Sequence, residues 1–275
     1  MLKLNIIGAG RVGQTLARLF GSSGQFQIAS VYTRSALTAQ KAVEFIGTGS
    51  AAFNLLELQH ADVCMLTVAD DDIENVSNQL LLKQLLKPYS IIFHCSGSKS
   101  SSILQSLRDA GHSIASIHPV RSFASPEVVV TDFADTYCGV EGDAKALAIL
   151  IPAFEAIGAR IFMLEAEHKL RYHAASVFAS NYLVTLMDVA LKAYQAAGIS
   201  PEMASALAQP LAKKTLENVF NTSTEDALTG PIKRGDFATV EKQLADLRLW
   251  NQDAASLYRA FIDPTTDIAK RPKTN

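Results

Sequence analysis

The segment Gly8-Ala9-Gly10-Arg11-Val12-Gly13 limits what this chain can fold into more than any other. A short apolar run, residues 2–7, precedes it, and a helical pattern of Val12, Leu16, Leu19 and Phe20 follows. Residues 26–33 (FQIASVYT) then read as a second strand. A strand, a glycine turn, a helix opening at Arg11 and another strand form the context in which GxGxxG carries meaning. Gly8 permits the tight turn, Gly10 lets a pyrophosphate approach the backbone, and Gly13 lets the helix pack against the sheet. The N–H groups around Ala9, Arg11 and Val12, at the positive end of the helix, suit phosphates. The turn predicts a dinucleotide site; the alternative is a tight turn with no ligand.

The second strand names the expected dinucleotide. NAD-binding versions end it on an acid that holds the ribose 2′-OH. Here it ends Tyr32-Thr33-Arg34-Ser35, with no carboxylate. Arg34 can pair with a 2′-phosphate, and the Thr33 and Ser35 hydroxyls can add hydrogen bonds, so the expected cofactor is NADP. The loop after the strand at 62–68 carries Val68 and Ala69 to the carboxyl edge of the sheet, where ligands of this fold bind. Asp70-Asp71-Asp72 follows, and Asp71 or Asp72 is expected to cap the next helix rather than bind a metal.

Alternation continues downstream. Strands fit 62–68, 90–95, 113–118, a stretch near 136–140, and 160–164; helices fit 36–46, 72–86, 100–110 and 144–157. That pattern predicts an α/β, doubly wound parallel Rossmann sheet over residues 1–165. Beyond it strand patterns vanish. Helices fit 167–197, 201–221, 235–246 and 247–262, an all-α domain over 166–275 whose last dozen residues, with Pro264 and Pro272, read as a frayed tail.

Composition narrows the partners. A net charge of −2 and a pI near 6.3 lack the basic excess of a nucleic-acid-binding domain. The apolar pattern at 183–191 is broken by Asp188, short of the ~18 residues of a membrane span, and Lys3 begins no signal peptide. No membrane partner and a cytoplasmic location are expected. Cys64, Cys95 and Cys138 have neither CxxC spacing nor an even count, so they read as buried thiols rather than disulfides or metal ligands.

Two strand ends carry candidate chemistry: His94-Cys95-Ser96-Gly97-Ser98-Lys99 and His118-Pro119-Val120-Arg121-Ser122. Hydride transfer to C=O or C=N leaves charge on the heteroatom, and a histidine titrating near neutrality suits it. His118 is the preferred proton donor. Ser96 and Ser98 can orient a substrate, Arg121 can grip a carboxylate, and His94 reads as a core histidine. On the helix from 167, His173, Val177 and Asn181 share a face, which makes His173 and Asn181 further candidates. Thr229 or Arg234 can reach a ligand, although Asp236 reads as a helix cap within a turn-rich connection.

Taken with Gly230-Pro231 and Arg234-Gly235-Asp236, these motifs resemble the Rossmann-like proteins whose helical C-terminal domain has no assigned function. That group is related to the 6-phosphogluconate dehydrogenase, pyrroline-5-carboxylate reductase and prephenate dehydrogenase superfamily. The resemblance covers nearly the whole chain and implies a homodimer formed through the helical domain. His118-Pro119 is similar to the His-Pro pair that supplies a catalytic histidine in prephenate dehydrogenases. In β-hydroxyacid dehydrogenases a catalytic lysine precedes an asparagine by four residues; if Asn181 matches that asparagine, Val177 stands at the lysine. The expected function is an NADP(H)-dependent oxidoreductase acting on a small polar, possibly carboxylated molecule. The alternative, motivated by Val177, is a non-catalytic NADP(H)-binding or redox-sensing protein.

Overall fold

In the computed structural model, which describes residues 1–272, successive strand residues turn to opposite faces of one sheet, and both faces are covered. Leu4 and Ile6 enter the core on one side and Ile7 the other; Phe93 and Ile92, and Ala115 and Ile114, divide in the same way. The elements in order are β1 (Leu2–Ile7), α1 (Arg11–Ser22), β2 (Phe26–Tyr32), α2 (Ala36–Ile46), β3 (Ser50–Ala52), β4 (Val63–Leu66), α3 (Ile73–Leu82), β5 (Ile91–His94), α4 (Gln105–Asp109), β6 (Ser113–Pro119), α5 (Pro126–Asp132), β7 (Tyr137–Gly142), α6 (Ala144–Ala156) and β8 (Arg160–Met163). The strands lie in the order β3-β2-β1-β4-β5-β6-β7-β8. Phe20 and Phe93 each meet Phe154 edge-on, with centroids 5.1 and 6.0 Å apart, and help to hold α1 and α6 on one face.

The sheet is mixed rather than wholly parallel. After β6 the chain makes an excursion through α5 and returns at the same edge, so β7 runs antiparallel to β6, with Pro119 opposite Cys138 and His118 opposite Gly139. The Val120 N–H donates to Tyr137 O at 2.8 Å and closes that return. β8 then pairs parallel with β7. The sequence reading lacks β3, whose Ser-Ala-Ala has no strand signature, and α5, where three consecutive valines obscure a helix begun by Pro126.

Two compact units divide the chain, Met1–Ser180 and Asn181–Asn275. The first therefore includes α7 (Lys169–Ala179), beyond the expected boundary at 165. The expected helix 167–197 is interrupted: Ser180 leaves helical geometry at φ −126°, ψ −71°, and α8 (Asn181–Ala196) begins after it. By length and composition alone, the helical stretch Ala166–Ala196 would be apolar enough to cross a membrane, contrary to the sequence reading. Near its start Lys169 is buried within the Rossmann unit, whereas none of the qualifying apolar window is buried.

The second unit contains α8, α9 (Pro201–Asn221), α10 (Thr224–Ala227), α11 (Phe237–Trp250) and α12 (Gln252–Lys270). Asp236 caps α11, as expected, accepting from the Thr239 N–H at 3.1 Å. Residues 264–270 of the expected frayed tail are instead the last turns of α12, which passes through Pro264 and ends at Lys270; residues 273–275 lie outside the described residues. Val240, Leu244, Ala255 and Ile262 form its buried apolar cluster.

Candidate dinucleotide cleft and polar site

The glycine turn is built as the physics of close approach requires. Gly8 has φ +88°, and a Cβ there would lie 2.6 Å from Thr67 C and Val68 N. A Cβ on Gly13 would lie 2.3 Å from Gly8 O and from Thr67 Oγ1, because the Thr67 hydroxyl donates to Gly8 O beside it. Gly10 is different: a Cβ there would meet nothing within 4 Å. Gly10 is also the N-cap of α1 and offers no side chain to its first N–H groups. The turn is closed where it must pack and open where a phosphate would sit.

A cavity of about 620 Å³ extends from this turn, with Gly8, Ala9, Gly10, Thr33, Arg34, Ser35, Val68 and Ala69 on its walls. Arg11 and Val12 open α1 outside that wall; Val12 packs on the core. Thr33 Oγ1 donates to Ser35 O at 2.7 Å, and Ser35 Oγ accepts from the Thr38 N–H at 3.4 Å, so these hydroxyls also build the start of α2. The expectation that no carboxylate is near needs correction. Asp72 lies on the same cavity wall and its Oδ2 stands 3.6 Å from Arg34 Nη1, an exposed ion pair. Asp72 stands at the N-cap of α3, as expected, but its side chain accepts no capping bond.

At the same carboxyl edge, the ends of β5 and β6 and the first turns of α7 make a buried polar cluster. Its base is Lys169, only 1% exposed. Lys169 Nζ donates to Ser116 Oγ at 2.7 Å and to Ser96 O at 3.1 Å, and stands 4.0 Å from Glu141 Oε1. Burial pulls the ammonium below its usual range, and the Glu141 charge opposes that shift. Glu141 in turn accepts from the Ser101 N–H at 2.7 Å and the Ser101 hydroxyl at 2.6 Å. The loop from Ser96 to Ser101 is thus held at both ends by one buried pair. Removing either partner would leave the other buried without its counter-charge.

Ser96 and Ser98 both donate to Asp70 Oδ2, at 2.7 and 2.8 Å, and Ser96 Oγ also accepts from the N–H groups of Ser98 and Lys99. The Ser96 hydroxyl therefore shapes the loop in this structure. His94 lies fully buried, its Nε2 3.2 Å from Ser100 O and its Nδ1 accepting from the Ser96 N–H at 3.2 Å. Burial pushes its pKa down to about 4, so it is a neutral core histidine, as read from sequence. Arg121 is turned away from any carboxylate ligand: it pairs with the Asp132 carboxylate and donates to Asp132 O at 2.6 Å, clamping α5. The cysteines are free thiols, and burial raises the pKa of each.

His118 and His173 meet. Their ring centroids are 5.6 Å apart, nearly perpendicular, over Gly97. His118 Nδ1 lies 2.7 Å from Tyr172 Oη. Burial first, then the Lys169 charge, pushes the His118 pKa down to about 4, not the near-neutral value expected of a proton donor. Asn181 opens the second unit as an exposed residue of α8, and the break at Ser180 removes the continuous helical face assumed for it.

Lys169, Tyr172 and Glu141 escaped the sequence reading. A lysine near a helix start reads as solvated. Its signal is the i, i+4 spacing to His173, and that of Glu141 is a charge within an otherwise apolar strand.

Comparison with known proteins places this geometry in a family. Residues 1–119 match a Rossmann-like domain and residues 136–264 match a domain of unknown function, DUF2520. The chain belongs to the family that joins these two domains. Protein TM1727 from Thermotoga maritima is 31% identical, with 97% of this chain and 98% of that one covered and a TM-score of 0.71. Pyrroline carboxylate reductase from Plasmodium falciparum, solved with NADP bound, is 16% identical over 98% of each chain, with a TM-score of 0.60. An imine reductase variant from Myxococcus stipitatus, solved with NAD+, is 18% identical over 97% of this chain and 94% of that one, with a TM-score of 0.63. No curated protein matches the sequence.

Proposed function

We propose that this protein is an NADP(H)-dependent oxidoreductase acting on a small polar substrate. The observation that carries the reading is one sheet edge holding two complementary features: a glycine turn left open at Gly10, and a buried polar cluster around His118, His173 and Lys169. The fold neighbours that hold NADP or NAD+ support it. The backbone at Gly8, Gly10 and Gly13 would hold the pyrophosphate, with Arg34, Thr33 and Ser35 at the adenosine 2′ position. When bound, the cofactor supplies or accepts hydride. His118, mostly neutral at pH 7, acts as a hydrogen-bonding group to the reacting heteroatom. Ser96 and the Lys169–Glu141 pair fix the loop beneath it.

A non-catalytic binder is the weaker reading. Its ground was Val177 in place of a lysine, yet Lys169 brings a buried ammonium to the cluster, two turns earlier on α7. We further propose self-association through residues 181–275. α8 buries none of its residues, and Val184, Leu211 and Phe220 are exposed.

The deciding experiment is titration with NADPH and NADH, read by cofactor fluorescence. NADPH should bind at least tenfold tighter, about 1.4 kcal/mol. Arg34→Ala should erase most of that preference and leave NADH affinity unchanged. Equal affinities in the native protein would overturn the NADP assignment, and no binding of either would overturn the oxidoreductase reading.

A further inference from the structure

The cleft beside the glycine turn carries both signs of charge at the end of β2. Among the described residues of its wall, Arg34 and Asp72 alone are charged, so their formal charges cancel. Arg34 Nη1 stands 3.6 Å from Asp72 Oδ2. The two side chains are held differently. That of Arg34 is 88% exposed and long enough to turn, whereas the shorter Asp72 side chain is 41% exposed and starts α3, which also supplies Asn75 and Gln79 to the wall. Because the Asp72 side chain accepts no capping bond, its charge is not needed to begin that helix.

The hydroxyls beside Arg34 are partly committed. Thr33 Oγ1 gives its proton to Ser35 O at 2.7 Å. Ser35 Oγ accepts from the Thr38 N–H at 3.4 Å and keeps its own proton to donate. An anion at this end of the cleft therefore meets one guanidinium, one hydroxyl donor and one carboxylate. A phosphate monoester carries about −1.5 to −2 charge at pH 7. Arg34 alone would offer it a full cation, but the pair as a whole offers little net attraction. A ribose hydroxyl is neutral and can donate to the carboxylate, so it escapes that opposition.

We propose that Asp72 is a specificity-determining residue of this cleft. It competes with a 2′-phosphate for Arg34 and holds the preference for NADPH over NADH below what Arg34 alone would give. This rests on the dinucleotide reading above. An exposed ion pair is worth up to about fivefold in an equilibrium constant, which sets the size of the effect.

Asp72→Asn in the full chain removes the charge and keeps both the side chain's shape and an oxygen able to accept from a hydroxyl. Titrated in low salt and followed by cofactor fluorescence, the variant should bind NADPH about three- to fivefold tighter than the native protein does, and NADH within about twofold of it. The NADPH gain should fade at about 1 M salt, where the screening length is about 3 Å. NADPH affinity unmoved or weakened by D72N would overturn the proposal. So would an equal gain for NADH, or a gain indifferent to salt, because neither comes from charge at the 2′ position. The same titration separates this proposal from the NADP assignment. Equal native affinities that become an NADPH preference in D72N would overturn that assignment and support the role of Asp72; a native NADPH preference unmoved by D72N would do the reverse. No binding of either cofactor by native or variant protein would overturn both.

Discussion

The two units of this chain hold themselves together differently. The Rossmann unit sandwiches its sheet between two apolar cores, and its polar interior is paired group by group, as with Lys169, Glu141 and Ser101. The helical unit centres on Val240, Leu244, Ala255 and Ile262, while Leu211 and Leu249 stand exposed at 62% and 89%. An amphipathic helix draws most of its stability from burying its apolar face, and the long helices of this unit bury few residues of their own. The contrast teaches where each unit is vulnerable: one to loss of internal fit and pairing, the other through the apolar side chains that its own helices leave exposed.

Acid should separate them most strongly. All six histidines lie within residues 1–180. His94 and His118 titrate near 4 in the folded chain, below the ~6.5 of an unfolded histidine. Between those values the unfolded state binds more protons, so stability falls as pH drops from 6.5 toward 4, by up to roughly 3 kcal/mol for each histidine. In the helical unit, Glu225 is held at about 2 by hydrogen bonds to its own backbone, then to Arg271 and Ser223. That contribution is intact above the ordinary glutamate range and is lost only as pH falls from there toward 2. Hydrogen exchange followed against pH should show the Rossmann unit loosening first; simultaneous loosening of both would erase the distinction.

A packing substitution comes next in size. Gly13→Ala places a methyl 2.3 Å from the Gly8 carbonyl oxygen, a backbone atom that cannot swing aside. It should destabilise the Rossmann unit by about 2–3 kcal/mol in urea unfolding. A cost below ~0.5 kcal/mol would mean that the turn is looser than its geometry.

The smallest thermodynamic effect should carry the clearest assembly signal. Leu211→Ser should change the stability of the isolated chain by less than about 0.5 kcal/mol. If the helical unit pairs with a second copy, the variant should sediment as monomer at concentrations where the native protein sediments as dimer. A monomeric native protein would remove the explanation offered here for its exposed apolar residues.

Much of the first unit was legible because its signals are local. The glycine turn, the strand periods and the helix patterns each lie within a few residues, and they located β1, α1, β2 and α2 closely. What stayed hidden depends on distant partners. Lys169 is buried only because Ser116 and Glu141 arrive from two other strands, and Tyr172 matters because it reaches His118, 54 residues away in sequence. His118 and His173 were each legible as candidates, but their meeting over Gly97 was not. The reversal of β7 escaped because nothing local distinguishes an antiparallel return from another crossover.

That reversal has a bearing on modular exchange. The glycine turn and His118 precede the excursion through α5, whereas Glu141, Lys169, Tyr172 and His173 come after the chain has turned back. A cut at Pro119 would thus carry away the nucleotide pocket and leave half of the polar cluster behind. Any recombinant that inherits this chemistry must take the whole stretch through α7 as one indivisible cassette, so new specificities are more readily gained by point changes at the rim than by swapping parts.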